Sequence, residues 1–175
     1  MDTLHELLVD ELKDLHSAET QLVKALPKMA KKAASESLRD AILAHLEETN
    51  GQVERLDEIG ELMEFSLKGK KCKAMEGLVE EGKEILEEDG QSAVIDAALI
   101  GAAQRVEHYE MAAYGTAKAM AEHLGLAKVV KLLDATLKEE SAADTKLTKI
   151  AVGEILPATD TEEEESLEST KKSSR

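Results

Sequence analysis

The stretch AAQRVEHYEMAAYGT, residues 102–116, places two glutamates where a helix ordinarily buries leucine. Ala103, Glu107, Glu110, Tyr114 and then Ala117 recur at intervals of three and four, the spacing of one helical face. An acid on such a stripe either sits at its wet edge or is held inside by a partner. A lone buried carboxylate costs several kcal/mol.

Working outward, the same pattern recurs in three more segments. The first begins at Thr3, with Glu6 at capping-box spacing, and its stripe runs Leu8, Leu12, Leu15, Glu19, Leu22, Leu26, Met29. Pro27 is expected to kink this helix without ending it, because the pattern continues to Ala34. The second is expected from Ser37 to Phe65, with Leu38, Ile42, His45, Thr49, Gln52, Leu56, Ile59 and Met63 on one face and Glu48 beside it. The segment around Glu107 starts at Ser92, a good N-cap, carries Asp96 and Leu99 on its stripe, and stops at Gly125. The last runs from Leu126 through Val130, Leu133, Leu137, Glu140, Asp144, Leu147 and Ala151.

Between the second and third long helices, residues 66–91 read as a long crossover. It carries a short amphipathic helix over residues 74–88, with Leu78, Val79, Ile85 and Leu86 as its buried face. Short loops make each flanking pair an antiparallel hairpin, so the chain reads as a weak two-fold repeat of hairpins. The expectation is an all-α, antiparallel four-helix bundle over residues 1–156, with the extra helix in the crossover. Residues 157–175, rich in Glu, Ser, Thr and Lys, are expected to form an acidic, disordered tail.

Composition agrees and narrows the function. Aromatic residues are 2% of the chain while Ala, Leu, Glu and Lys abound, which favours helix over strand. The net charge of −15 would repel nucleic-acid and anionic lipid phosphates and attract cations. Cys72 is the single cysteine, which excludes an intramolecular disulfide and fits a reducing compartment. The acidic, amphipathic first residues do not read as a secretory signal, and no run reaches the ~18 apolar residues of a membrane helix. A cytoplasmic location is expected, with neither a nucleic-acid nor a membrane partner.

The acids inside the stripes carry the chemistry. Glu19, Glu48, Glu107, Glu110, Glu140 and Asp144 fall near the middles of their helices, so a bundle would bring them to about one level. Oxygen-rich shells suit hard cations, and shared carboxylates can bridge two ions roughly 3.5–4 Å apart. Two divalent ions would offset four of the six negative charges, and two trivalent ions all six. His45, one turn before Glu48, can add a nitrogen ligand. The alternative for each acid is a helix-edge residue paired with lysine through solvent. Tyr114 can hydrogen-bond a ligand, and His16 and His108 read as surface residues. Cys72 lies beside Lys70, Lys71 and Lys73, a setting that would favour a thiolate, against the reading of an inert or partly buried thiol.

Five segments resemble the bacterial YciF-type stress proteins of the ferritin-like superfamily. They are LHSAETQLVKALPKM (15–29), HLEETNGQVERL (45–56), KKCKAMEGLVEEGKEIL (70–86), AAQRVEHYEMAAYGT and TLKEESAADTKLTKIA (136–151), and the likeness extends over almost all of residues 1–156. The resemblance implies a ferritin-like fold akin to rubrerythrin, a di-iron peroxidase bundle. It also implies a link to stress responses. Glu107-x-x-Glu110 matches the third helix of rubrerythrin, but the usual Glu-x-x-His pairs are absent. Gly51 stands three residues after Glu48 and Ala143 three after Glu140, with Asp144 one step later. Two functions follow as expectations. One is a di-metal centre, iron best and manganese second, which oxidises iron(II) with dioxygen or peroxide. The other is a non-enzymatic bundle acting through dimerisation or protein partners. A homodimer is expected for either.

Overall fold

The computed structural model describes residues 1–161. Its helices are α1 (Leu4–Lys32), α2 (Glu36–Leu62), α3 (Lys73–Glu87), α4 (Ser92–His123) and α5 (Ala127–Ile150). A π-helical turn, Ala151–Ile155, continues α5, and residues 156–161 remain helical. The backbone therefore runs helically past Pro157, where the tail was expected to begin. The rest of that expectation, residues 162–175, lies outside the described residues. No helix among them is long and apolar enough to cross a membrane.

Local chemistry sets the boundaries. At the start of α1, Thr3 Oγ1 accepts from Glu6 N at 3.1 Å while Thr3 N donates to Glu6 Oε2 at 3.3 Å, the capping box read from sequence. Pro27 lies inside α1, which runs on to Lys32. The second helix starts earlier than expected, because Ser35 rather than Ser37 is its N-cap and accepts from Leu38 N at 3.2 Å. It also stops earlier, at Leu62. There Glu64 adopts φ +57° while Phe65 N donates to Gly60 O at 3.0 Å and Glu64 N to Glu61 O at 3.2 Å. This is a Schellman ending with glutamate in the position usually held by glycine. Gln91, not Ser92, is the N-cap of α4. Gly125 ends α4 as anticipated, at φ +73°, with Leu126 N bonded to Ala121 O at 2.9 Å.

The helices form two antiparallel hairpins, α1 with α2 and α4 with α5, joined where α1 packs on α4 and α2 on α5. Helix α3 lies against α1 and α4. It buries Met75 and Gly82 fully, while Leu78, Val79, Ile85 and Leu86 are half-buried against the same core. That core is split. One apolar cluster centres on Leu22, Leu26, Leu38, Leu99 and Leu147, the other on Leu8, Leu12, Leu56, Tyr114 and Leu133. Along every long helix the two clusters are separated by a polar belt: Glu19 on α1, His45, Thr49 and Gln52 on α2, Glu107 and Glu110 on α4, Thr136 and Glu140 on α5. The fold thus brings the in-stripe acids of distant segments to the waist of the bundle.

Not every buried acid belongs to the belt. Asp96 is buried near the far end of α4 and accepts from Ala34 N at 2.9 Å and Ser35 N at 2.7 Å. It satisfies the turn between α1 and α2, so its position on the stripe has a backbone explanation.

Candidate metal centre

Each belt residue is placed by helical phase. On α2, His45, Thr49 and Gln52 are four and three residues apart and face inward together. Glu48 falls off that face and is exposed. On α4, Glu107 and Glu110 share the inward face with Tyr114. On α5, Thr136 and Glu140 do the same.

Four side chains meet closely. One ligand atom each from His45, Glu107, Glu110 and Glu140 lies within 4.8 Å of all the others, and all four residues are buried. His45 Nε2 stands 3.4 Å from Glu107 Oε1 and 3.8 Å from Glu140 Oε2. His45 Nδ1 is 3.4 Å from Glu48 Oε2. These are ion-pair distances without hydrogen-bond alignment, since neither ring nitrogen has a hydrogen-bond partner. Glu19, fully buried on α1, borders the group and takes a hydrogen bond from Tyr114 Oη at 2.5 Å. Gln52 Nε2 donates to Glu140 Oε1, and at 3.2 Å to Glu139 Oε2. Arg55 pairs with Glu139 and donates to Thr136 Oγ1 at 2.8 Å, closing the belt toward solvent.

Among the described residues, every buried side-chain nitrogen or oxygen without a hydrogen-bond partner lies in this belt. They are Glu19 Oε2, both ring nitrogens of His45, Gln52 Oε1, Glu107 Oε2, both oxygens of Glu110, and Glu140 Oε2. Such groups are rare in folded proteins because each costs about 1–3 kcal/mol or more. Eight in one place, nearly all of them metal-donor types, describe a site that a cation would satisfy.

The protonation states tell the same story. Burial, followed by repulsion from Glu140, pushes the Glu19 carboxyl up to about 8. Burial and then the contact with Glu140 push Glu107 up to about 11. Glu110 is driven well above the carboxylate range by burial first, then by Glu19 and Glu140. Without a cation, protons take its place. Glu48 behaves oppositely, the His45 ring beside it holding it below the usual range.

The sequence expectations divide accordingly. His45, Glu107, Glu110 and Glu140 come together, and Glu19 borders them. Glu48 does not join the buried group but flanks it through His45. Asp144 also stands outside: it is half-buried, accepts from Gln104 Nε2 at 2.9 Å and lies 3.4 Å from His108 Nε2. One turn beyond Glu140, it has rotated toward the α4–α5 surface. His16 pairs with Asp57 at 3.3 Å and His108 is exposed. Of the two readings of Cys72, the buried, inert thiol fits the structure and the reactive thiolate does not. Cys72 is fully buried, caps α3, and lies 2.9 Å from Tyr109 Oη, and burial raises its thiol. Neighbours in sequence point their ammonium groups elsewhere: Lys70 to Asp10, Lys71 and Lys73 to Glu76. Sequence reasoning passed over Gln52 as a site residue, although a polar residue in phase with His45 was the available signal.

Comparison with known proteins agrees with the fold. The model for the domain of unknown function DUF892 matches residues 3–159. The Escherichia coli (strain K12) protein YciF is 49% identical over 156 residues, covering 89% of this chain and 94% of its own. The crystal structure of that E. coli stress protein superposes with a TM-score of 0.84 at 50% identity, over 87% of this chain and 96% of the other. YcfI of Rhodopseudomonas palustris reaches a TM-score of 0.83 at 43% identity, over 86% of this chain and 96% of that one. A Xanthomonas campestris structure at 20% identity, with a TM-score of 0.73 over 92% of this chain and 99% of that one, shares the fold. The chain belongs to the DUF892 family of YciF-type proteins.

Proposed function

We propose that the belt binds two metal ions, iron in the first instance, and supports oxidation of iron(II). His45, Glu107, Glu110 and Glu140 would hold one ion, and Glu19 with the amide oxygen of Gln52 would extend the set to a second. The observation that carries this reading is the concentration of partnerless buried donor atoms in the belt. Bound iron would supply one-electron chemistry toward dioxygen or peroxide.

The residues have separate tasks. Glu19, Glu107, Glu110 and Glu140 provide four negative charges when ionised, which two divalent ions balance. An oxidised pair would carry two further positive charges, and hydroxide or the nearby carboxylates of Glu48 and Asp144 are available to offset them. Glu48 and Asp144 therefore act at the margin, Glu48 by orienting His45. Tyr114 and Gln52 fix Glu19 and Glu140. The two apolar clusters keep water away from both sides of the belt. The E. coli relative is a stress protein, which supports a stress-linked role; a cytoplasmic, homodimeric state belongs to this reading on the sequence alone.

Anaerobic titration of chelator-stripped protein with iron(II) tests the proposal. About two equivalents should bind, and Glu107→Gln should lose at least one. Bound metal must also raise thermal stability, by about 2.7 kcal/mol at a ligand concentration of 100 Kd. Protein that neither binds nor gains stability would refute it. That outcome would favour the second reading, a non-enzymatic bundle acting through protein partners. The single histidine of the belt, in place of paired Glu-x-x-His motifs, is what speaks for it.

A further inference from the structure

Beside the belt lies a recess of about 100 Å³ that opens to solvent between α2 and α5. Its walls are apolar and small, among them Ile42, Ala103, Ala143 and Leu147, and its floor is formed by His45 and Glu107. Exposed Glu48 and Lys146 stand at the mouth. We propose that this recess is a binding site for dioxygen and its route to the metal-binding belt.

The argument is one of size and wall chemistry, and it rests on the reading of the belt as a metal centre. The alanine and leucine walls offer no hydrogen-bond partner. A hydrated ion passing between them would shed its water without compensation, and hydrogen peroxide would leave its hydroxyls unpaired along the walls between mouth and floor. A neutral diatomic gives up almost nothing. Apolar cavities of this scale accept small apolar guests such as xenon. The recess also ends on the right residues, since His45 and Glu107 are two of the four that converge. Glu48 and Lys146 carry opposite charges, so the mouth has no net charge to concentrate ions of either sign. With iron(II) as the electron source, two ions would each lose one electron. Dioxygen would gain both electrons with two protons and leave as hydrogen peroxide.

Methyl NMR of the full-length apo-protein under dissolved oxygen tests the site without any turnover. The methyls of Ala103, Ala143 and Leu147 should broaden several-fold more than Ala117 and Leu133, which are buried in the other cluster. Two variants at the outer part of the recess, Ala143→Leu and Ala44→Phe, should abolish that broadening. Both should keep the wild-type manganese(II) stoichiometry and slow iron(II) oxidation by dioxygen at least tenfold. Equal broadening of all buried methyls, or wild-type oxidation rates in variants that have lost the guest, would overturn the proposal. Equal slowing of peroxide-driven oxidation would overturn the choice of dioxygen. Failure of wild-type protein to bind manganese(II) would instead bring down the metal reading itself, and this inference with it.

Discussion

Loading the belt with a divalent ion must expel protons, and the structure says about how many. Glu107 is held up to about 11 and Glu110 well above the carboxylate range, so both keep a proton at pH 7. Glu19, held at about 8, is roughly nine-tenths protonated at that pH. A carboxyl must ionise to coordinate a cation. One ion bound through Glu107 and Glu110 should therefore release about two protons, and occupancy that recruits Glu19 should release nearly a third. Linkage converts this into a steep pH dependence. Each proton released multiplies the association constant by about ten per pH unit, so affinity should rise about a hundredfold between pH 6 and 7.

Manganese(II) is the suitable probe, because it binds oxygen-rich sites and resists oxidation in air. Calorimetric titrations in two buffers of different ionisation enthalpy give the proton count directly. Stoichiometric binding with no proton release would refute the reasoning. It would mean either that the belt carboxylates are already ionised or that the ion sits elsewhere.

Apo-protein stability should fall as pH rises. The raised Glu19 and Glu107 carboxyls contribute fully below the unfolded value of 4.5 and lose that contribution as pH passes about 8 and about 11. Thermal melts should show a negative slope of about 1.4 kcal/mol per pH unit for each proton held, and saturating manganese(II) should largely remove it. Glu110→Met should stabilise the apo-protein by about 1–4 kcal/mol in urea unfolding while abolishing metal uptake, since it replaces a fully buried carboxyl whose oxygens have no partner. Glu64→Gly should raise the melting temperature by a few degrees by relieving the positive φ at the end of α2, a gain of about 1 kcal/mol. Cys72 should react with a thiol reagent orders of magnitude more slowly in folded protein than in urea, because it is fully buried.

Much of the fold was legible because helical period and polarity agree along the chain. Leu8, Leu12 and Leu15, then Leu22 and Leu26, define a face, and Glu19 interrupts it in phase. What failed was finer. Ser35 and Ser37 are equally good caps by composition, and only the turn held by Asp96 chooses between them. Asp144 was read on the stripe itself, four residues from Glu140, yet it turns to Gln104 and His108 at the α4–α5 surface, whereas Glu48 was assigned to the site by nearness to its stripe. One step of phase, about 100°, moves a side chain from the interior to the edge. Gln52 was read on the inward face but given no role, because a neutral amide there does not demand a cation as a buried carboxylate does. The thiolate alternative for Cys72 fails because it counted charge along the sequence, whereas the neighbouring lysines reach Asp10 and Glu76 instead of the thiol.

The split core decides how metal and folding are coupled. In small metal domains the ion completes the only core there is, so the apo-chain unfolds. Here two apolar clusters lie on opposite sides of the belt, each drawing on all four long helices. Neither needs the cation. The belt between them remains tolerable when empty because its acids can take up protons, as the raised Glu19, Glu107 and Glu110 carboxyls show. If the belt binds metal as proposed, cation and proton would compete for one set of oxygens inside a bundle that stands in either case. Occupancy would then be set by pH and metal concentration rather than by folding, which suits a site that loads and unloads better than one holding a permanent structural ion.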